Sequence, residues 1–179
     1  LIDLDPQAYS SISCLDLAQV TRSTYDAIAD PTCELSDIIL PAPVPNLFIA
    51  PARIALAKLE ARLVGELDAH FRLKDKIEKL SGEYSQIVID CPPLTAIDDA
   101  FSLIGLSDGL LFVVRAGQTS MRFAKGALAA ARQRGCNILG IVLNGITADN
   151  PYYYYNSYYH SYYNRSEDAS GKALSSARP

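Results

Sequence analysis

Gln86-Ile87-Val88-Ile89-Asp90 is an apolar run of strand length that ends in an acid, and Pro92-Pro93 stops it two residues later. Leu1-Ile2-Asp3-Leu4-Asp5 has the same character and reads as the end of a strand. Further along, GLLFVV (residues 109–114) and ILGIVL (residues 138–143, ending at Asn144) are continuous apolar strands. Most of these runs are apolar throughout rather than alternating, which is the pattern of a parallel sheet covered on both faces. A shorter run, Asn46-Leu47-Phe48-Ile49-Ala50-Pro51, is bounded by prolines and reads as a short strand.

Helical patterns separate the strands. Residues 55–80 repeat Leu59, Leu63, Leu67 and Phe71 at i+4, giving one apolar stripe over two helices, with Arg62, Glu66, Lys74 and Glu78 on solvated faces. A helix is expected over residues 98–106. Another starts from an N-cap at Thr119 or Ser120 and runs to about Arg134, before Gly135. The alternation predicts an α/β fold of three layers, a mostly parallel sheet with helices on both faces. Residues 1–149 form the domain. Residues 150–179 turn to Tyr, Asn and Ser and then to Ser, Ala and Gly, and read as a flexible tail.

Composition narrows the function classes. The net charge of −4 gives no global basic signal for nucleic acid. The four cysteines are scattered without C-x-x-C spacing, against a zinc or redox motif. No apolar run reaches the length of a membrane span, and no signal peptide is visible. His70 and His160 are the two histidines and neither has a matching nucleophile motif, against a catalytic triad. Eight of the eleven tyrosines lie between Tyr152 and Tyr163, the largest anomaly in the chain.

In parallel sheets, ligands sit at the carboxyl ends of the strands. Those ends here carry Asp3 and Asp5, Asp90, and Asn144. Several carboxylates on one sheet edge repel one another unless a cation compensates them, and Mg²⁺ takes carboxylate oxygens directly or through water. Taken singly, Asp90 also reads as a loop cap, Asp5 as a helix cap, and Asn144 as a turn residue before Gly145. Arg115 reads equally as a nucleotide or subunit contact and as a surface ion pair.

LIDLDPQ (residues 1–7) resembles the second acidic motif, Walker A′, of the ParA/MinD-type P-loop ATPases. YSQIVIDCPP (residues 84–93) resembles their Walker B strand, and GIVLN (residues 140–144) the strand whose terminal Asn reads adenine. The resemblance covers residues 1–147 in the family's order and implies a P-loop NTPase-like fold that binds ATP and Mg²⁺. It implies that Asp5 positions the attacking nucleophile, Asp3 supports the metal and phosphate site, Asp5 and Asp90 hold Mg²⁺ partly through water, and Asn144 contacts the nucleotide. The phosphate-binding G-x-x-x-x-G-K-[ST] loop is not in this sequence. In the family it precedes LIDLDPQ, so an N-terminal truncation is expected, and with it poor ATP binding by the fragment.

Two branches share these motifs. LIDLDPQ and Pro45-Asn46-Leu47 lean toward partition ATPases, which act as nucleotide-dependent dimerisation and DNA-binding switches. SDGLLFVVRAG (residues 107–117) resembles the bacterial tyrosine kinases (BY-kinases) of capsule and exopolysaccharide biosynthesis, as does the cluster Tyr152, Tyr153, Tyr154, Tyr155, Tyr158, Tyr159, Tyr162 and Tyr163. That resemblance implies an ATP-dependent tyrosine autokinase whose phosphoacceptors are those tail tyrosines, used in trans within a ring or dimer. It also implies a membrane-embedded adaptor or polysaccharide co-polymerase, a tyrosine phosphatase as counterpart, no nucleic-acid partner, and a cytoplasmic site at the inner face of the bacterial membrane. The tail's three cations, Arg165, Lys172 and Arg178, against Glu167 and Asp168 are too few for a nucleic-acid arm.

Overall fold

Ile2 and Asp3 form β1 (Ile2–Asp3), which lies parallel to β4 (Ile89–Asp90) with Ile2 opposite Ile89 and Asp3 opposite Asp90. The register puts two acids side by side at the carboxyl ends of neighbouring strands, as expected from the two apolar runs. The computed structural model describes residues 1–66, 69–93 and 107–146. The expected helix over residues 98–106 and the tyrosine tail lie outside them. The chain divides into two compact units, Leu1–Leu106 and Ser107–Pro179.

In the first unit, β1 is bordered on its other edge by Ala50, which exchanges backbone hydrogen bonds with Leu1 and Asp3 (2.9 and 3.0 Å). Ala50 follows β3 (Phe48–Ile49), the strand expected between the prolines. β3 pairs antiparallel with β2 (Leu40–Pro41), so this ribbon departs from the parallel plan. The connecting turn carries Asn46 at φ 63°, a left-handed conformation that Asn tolerates. α1 (Tyr9–Cys14) and α2 (Thr24–Ala29) follow β1, and Asp26 caps α2 by accepting from the Ser23 amide at 2.8 Å. Ile2, Ala27, Ile28, Leu35, Ile38, Ala50, Leu73 and Leu80 form the main core.

The apolar stripe expected over residues 55–80 holds at Leu59 and Leu63, which pack partly buried against the core, and fails at Phe71; Leu67 lies outside the described residues. A 3₁₀ turn (Ile54–Lys58) leads into α3 (Leu59–Leu63), and the chain breaks at Gly65 (φ +86°) before α4 (Ala69–Glu78) begins. The break resets the helical phase. Phe71 is therefore exposed, whereas Leu73 is buried together with Arg72 and Lys76. The Lys76 ammonium donates to the carbonyls of Asp30, Pro31 and Cys33 at 3.1, 3.2 and 2.5 Å. Arg72 donates to the Ile28 carbonyl at 3.3 Å and pairs with Glu66. Two cations one turn apart thus hold α4 against the C-terminal end of α2, where carbonyls lack helical partners and the dipole favours positive charge.

In the second unit, β5 (Leu110–Arg115), α5 (Met121–Gln133) and β6 (Ile138–Asn144) form a parallel strand–helix–strand unit with Arg115 opposite Asn144. Ser120 is the N-cap, its hydroxyl accepting from the Phe123 amide at 3.3 Å, as the sequence predicts. A Cβ at Gly109 would lie 2.5 Å from Leu139 Cγ, so a side chain there would displace that of Leu139. Within this unit, described by itself, the helix covers one face of the strand pair. Phe112 is buried, but Leu111, Val113, Leu139 and Ile141 are exposed. The unit's described elements, two strands and one helix, supply one covering layer for a sheet with two faces.

Candidate strand-end carboxylate site

Asp3 is fully buried, so its charge must be met by donors. Its Oδ1 accepts from the Asp5 amide at 3.0 Å, and its Oδ2 accepts from the Ser11 amide and hydroxyl at 3.0 and 2.6 Å. Ser11 Oγ in turn accepts from the Ala52 amide at 2.9 Å, and Thr24 Oγ1 donates to the Asp3 carbonyl at 3.0 Å. Asp3 therefore ties β1 to α1, α2 and the segment after β3. Charge-assisted bonds of this kind are about twice as strong as neutral ones.

Asp5 stands differently. It is half-buried, and its Oδ1 accepts only the Gln7 amide, at 2.9 Å. The turn closes with the Ala8 amide donating to the Asp5 carbonyl (2.8 Å), and Ala8 itself sits in the left-handed region at φ 57°. A Cβ in that region costs about 1–2 kcal/mol. The turn is held by its hydrogen bonds against that strain, a condition common where a loop presents a functional group.

Asp90 is also half-buried, and Ser10 Oγ donates to its Oδ2 at 2.5 Å. The β4 chain leaves through Cys91, whose thiol is pushed up to about 11 by burial, with the neighbouring Asp90 charge adding to it. Among the described residues, Asp90 Oδ1 and Asp5 Oδ2 have no hydrogen-bond partner. Among the described residues, no three His, Cys, Asp or Glu side chains gather into a ready metal cage. One free carboxylate oxygen on each of two acids suits Mg²⁺, which keeps waters and takes one or two carboxylates plus substrate phosphates. The residues present fit that cation.

Asn144 ends β6 in the second unit. Its Oδ1 accepts from the Gly145 amide at 2.7 Å, the turn role weighed from sequence, and its amide nitrogen has no partner among the described residues. The Arg115 amide donates to Thr119 Oγ1 at 3.2 Å. The eight phosphoacceptor candidates of the tail lie outside the described residues. Sequence reading missed Ser10, Ser11 and Thr24. The available signal was two adjacent hydroxyls just after the acidic motif, but a Ser-Ser pair is common in loops and α1 shows little periodicity.

The sequence matches the AAA domain family over residues 1–129. It is 37% identical over 94 residues to the sporulation initiation inhibitor protein Soj of Bacillus subtilis, covering 52% of this chain and 37% of that protein. It is 30% identical over 114 residues to the tyrosine-protein kinase CpsD of Streptococcus agalactiae, covering 64% of this chain and 47% of the kinase. The chain thus spans less than half the length of either relative. The structure superposes on cobyrinic acid a,c-diamide synthase from Mycobacterium smegmatis with bound ADP and magnesium at a TM-score of 0.64 and 22% identity, covering 79% of this chain and 60% of that one. That likeness establishes the fold as α/β and P-loop NTPase-like. With its parallel strand ends carrying Asp3 and Asp90 inside the matched region, the chain belongs to the AAA domain family, and its relatives include both a chromosome-partitioning ATPase and tyrosine-protein kinases.

Proposed function

We propose that the intact protein is an ATP-dependent tyrosine autokinase that phosphorylates the tail tyrosines of a neighbouring copy. The observation that carries this reading is the cluster from Tyr152 to Tyr163, which begins eight residues after the last strand residue, Asn144. Likeness to CpsD supports it. A phenol on a tail needs little more than positioning and a carboxylate to take its proton. Several tyrosines on one tail raise the effective concentration of acceptor.

Asp90 Oδ1 and Asp5 Oδ2 are the oxygens offered to Mg²⁺ and its waters. The ion, when bound, neutralises charge on the transferring phosphates. Asp5 accepts the phenolic proton while the tyrosine oxygen takes the γ-phosphoryl group and ADP leaves. Asp3 holds the turn that aims Asp5. Asn144, through its free amide nitrogen, is the residue we assign to adenine. Each phosphate adds about −1.5 to −2 charges, so a modified cluster repels acidic neighbours and loosens the assembly. A membrane-embedded adaptor, a tyrosine phosphatase and a role in polysaccharide synthesis and export at the inner membrane face belong to the same proposal.

Incubating the full-length protein with MgATP and mapping the tail by mass spectrometry tests this reading. Phosphate is expected on residues between Tyr152 and Tyr163 and is expected to vanish in Asp5→Asn. An unmodified tail in a protein that does bind nucleotide ends the kinase reading. A second reading, a nucleotide-dependent partition switch, is favoured by LIDLDPQ and by the 37% identity to Soj. Its mark is nucleotide-dependent DNA binding that weakens steeply with salt, without phosphotyrosine.

A further inference from the structure

We propose that Ser10 is the positioning residue that sets the magnesium affinity of Asp90, an inference that rests on the nucleotide site proposed above. The need for such a residue is written into the backbone. Asp3 is capped by the amide two residues on, that of Asp5, and Asp5 by the amide of Gln7. For Asp90 the residue two positions on is Pro92, which has no N–H, and Pro93 follows it. The local cap that steadies the other two acids is thus impossible at Asp90. A carboxylate torsion is broad and settles only when a partner holds it.

Ser10 supplies that partner from 80 residues away, with a 2.5 Å bond to Oδ2. It does so from a fixed base. Ser11, the next residue on the first turn of α1, is buried and binds Asp3 through both its amide and its hydroxyl. Asp3 and Asp90 are register partners on adjacent strands. Consecutive hydroxyls on one helical turn therefore clip neighbouring strand ends, one acid each. The clip occupies Oδ2 of Asp90 and leaves Oδ1 without a hydrogen-bond partner among the described residues, available to a cation. Hydrogen-bond partners of metal-binding carboxylates commonly tune affinity by about 10–100-fold.

The test uses the full-length protein with Mn²⁺ as the probe, read by electron paramagnetic resonance in the presence of ADP. ADP binding in EDTA and the thermal midpoint are measured beside it. Ser10→Ala is expected to weaken Mn²⁺ binding about tenfold while ADP affinity in EDTA and the midpoint stay unchanged. Ser10→Thr, which keeps the hydroxyl, is expected to restore it. Asp90→Asn serves as the reference for loss of the ligand itself. Wild-type Mn²⁺ affinity in Ser10→Ala, with Asp90→Asn impaired, overturns the role of Ser10 and leaves the nucleotide site standing. Equal weakening by Ala and Thr, or a parallel fall in metal-free ADP binding, also overturns it. No Mn²⁺·ADP binding by the wild type overturns the nucleotide site and this inference together.

Discussion

Asp3 and Asp5 stand two positions apart, yet their surroundings give them different work. Asp3 is fully buried and takes three donors, two of them from Ser11, whereas half-buried Asp5 takes one amide. Removing a buried acceptor strands its donors at about 1–3 kcal/mol each. Asp3→Ala is therefore expected to lower unfolding stability by about 3 kcal/mol or more in urea titration. Asp5→Asn is expected to cost less than about 1 kcal/mol, because an amide oxygen still accepts from Gln7. Equal losses at the two positions contradict this division between a structural acid and a presented one. The sequence offers both as acids at a strand end. Their separation depends on Ser11 and Ala52, which only folding brings to Asp3.

At the level of elements, α4 departs most from its sequence pattern. Repetition of leucine at i+4 reads as one continuous stripe, but the left-handed turn at Gly65 breaks the phase and turns Phe71 outward. The buried side of α4 is instead marked by Arg72, Leu73 and Lys76. Charged side chains are rarely fully buried, so nothing in the local sequence pointed there. Their partners are carbonyls at the end of α2 and in the turn that follows it, which become visible only once α2 is placed. Lys76→Met keeps the stem but removes the ammonium that three carbonyls share. A loss of about 1–3 kcal/mol is expected. Lys74→Met on the same helix, whose exposed ion pair with Glu78 spans 3.6 Å, is expected to change stability by less than about 0.5 kcal/mol. A comparable loss at Lys74 removes the proposed anchoring role. By contrast α5 was legible, because its Ser120 cap and its stop before Gly135 are local signals.

For the whole molecule, the proposed chemistry turns on delivery between copies. Full-length Asp5→Asn protein, unable to phosphorylate, can be mixed with an active copy whose tail tyrosines are all Phe. Phosphate on the Asp5→Asn tail is expected. A tail that stays unmodified in the mixture, while wild-type protein modifies itself, shows delivery within one chain instead. The sequence by itself determined the α/β class, the parallel pairing of strands that end in acids, and the family. These follow from short-range facts: continuous apolar runs, proline stops, a serine cap, and motifs in order. Only the tertiary structure decided which acid is sealed and which is presented, which cations are buried, and that Ser10 and Ser11 clip Asp90 and Asp3. The physical reason is that a buried charge is governed by the donors around it. Those donors come from segments tens of residues away, whose hydroxyls and amides carry no mark in the sequence of the carboxylate they meet.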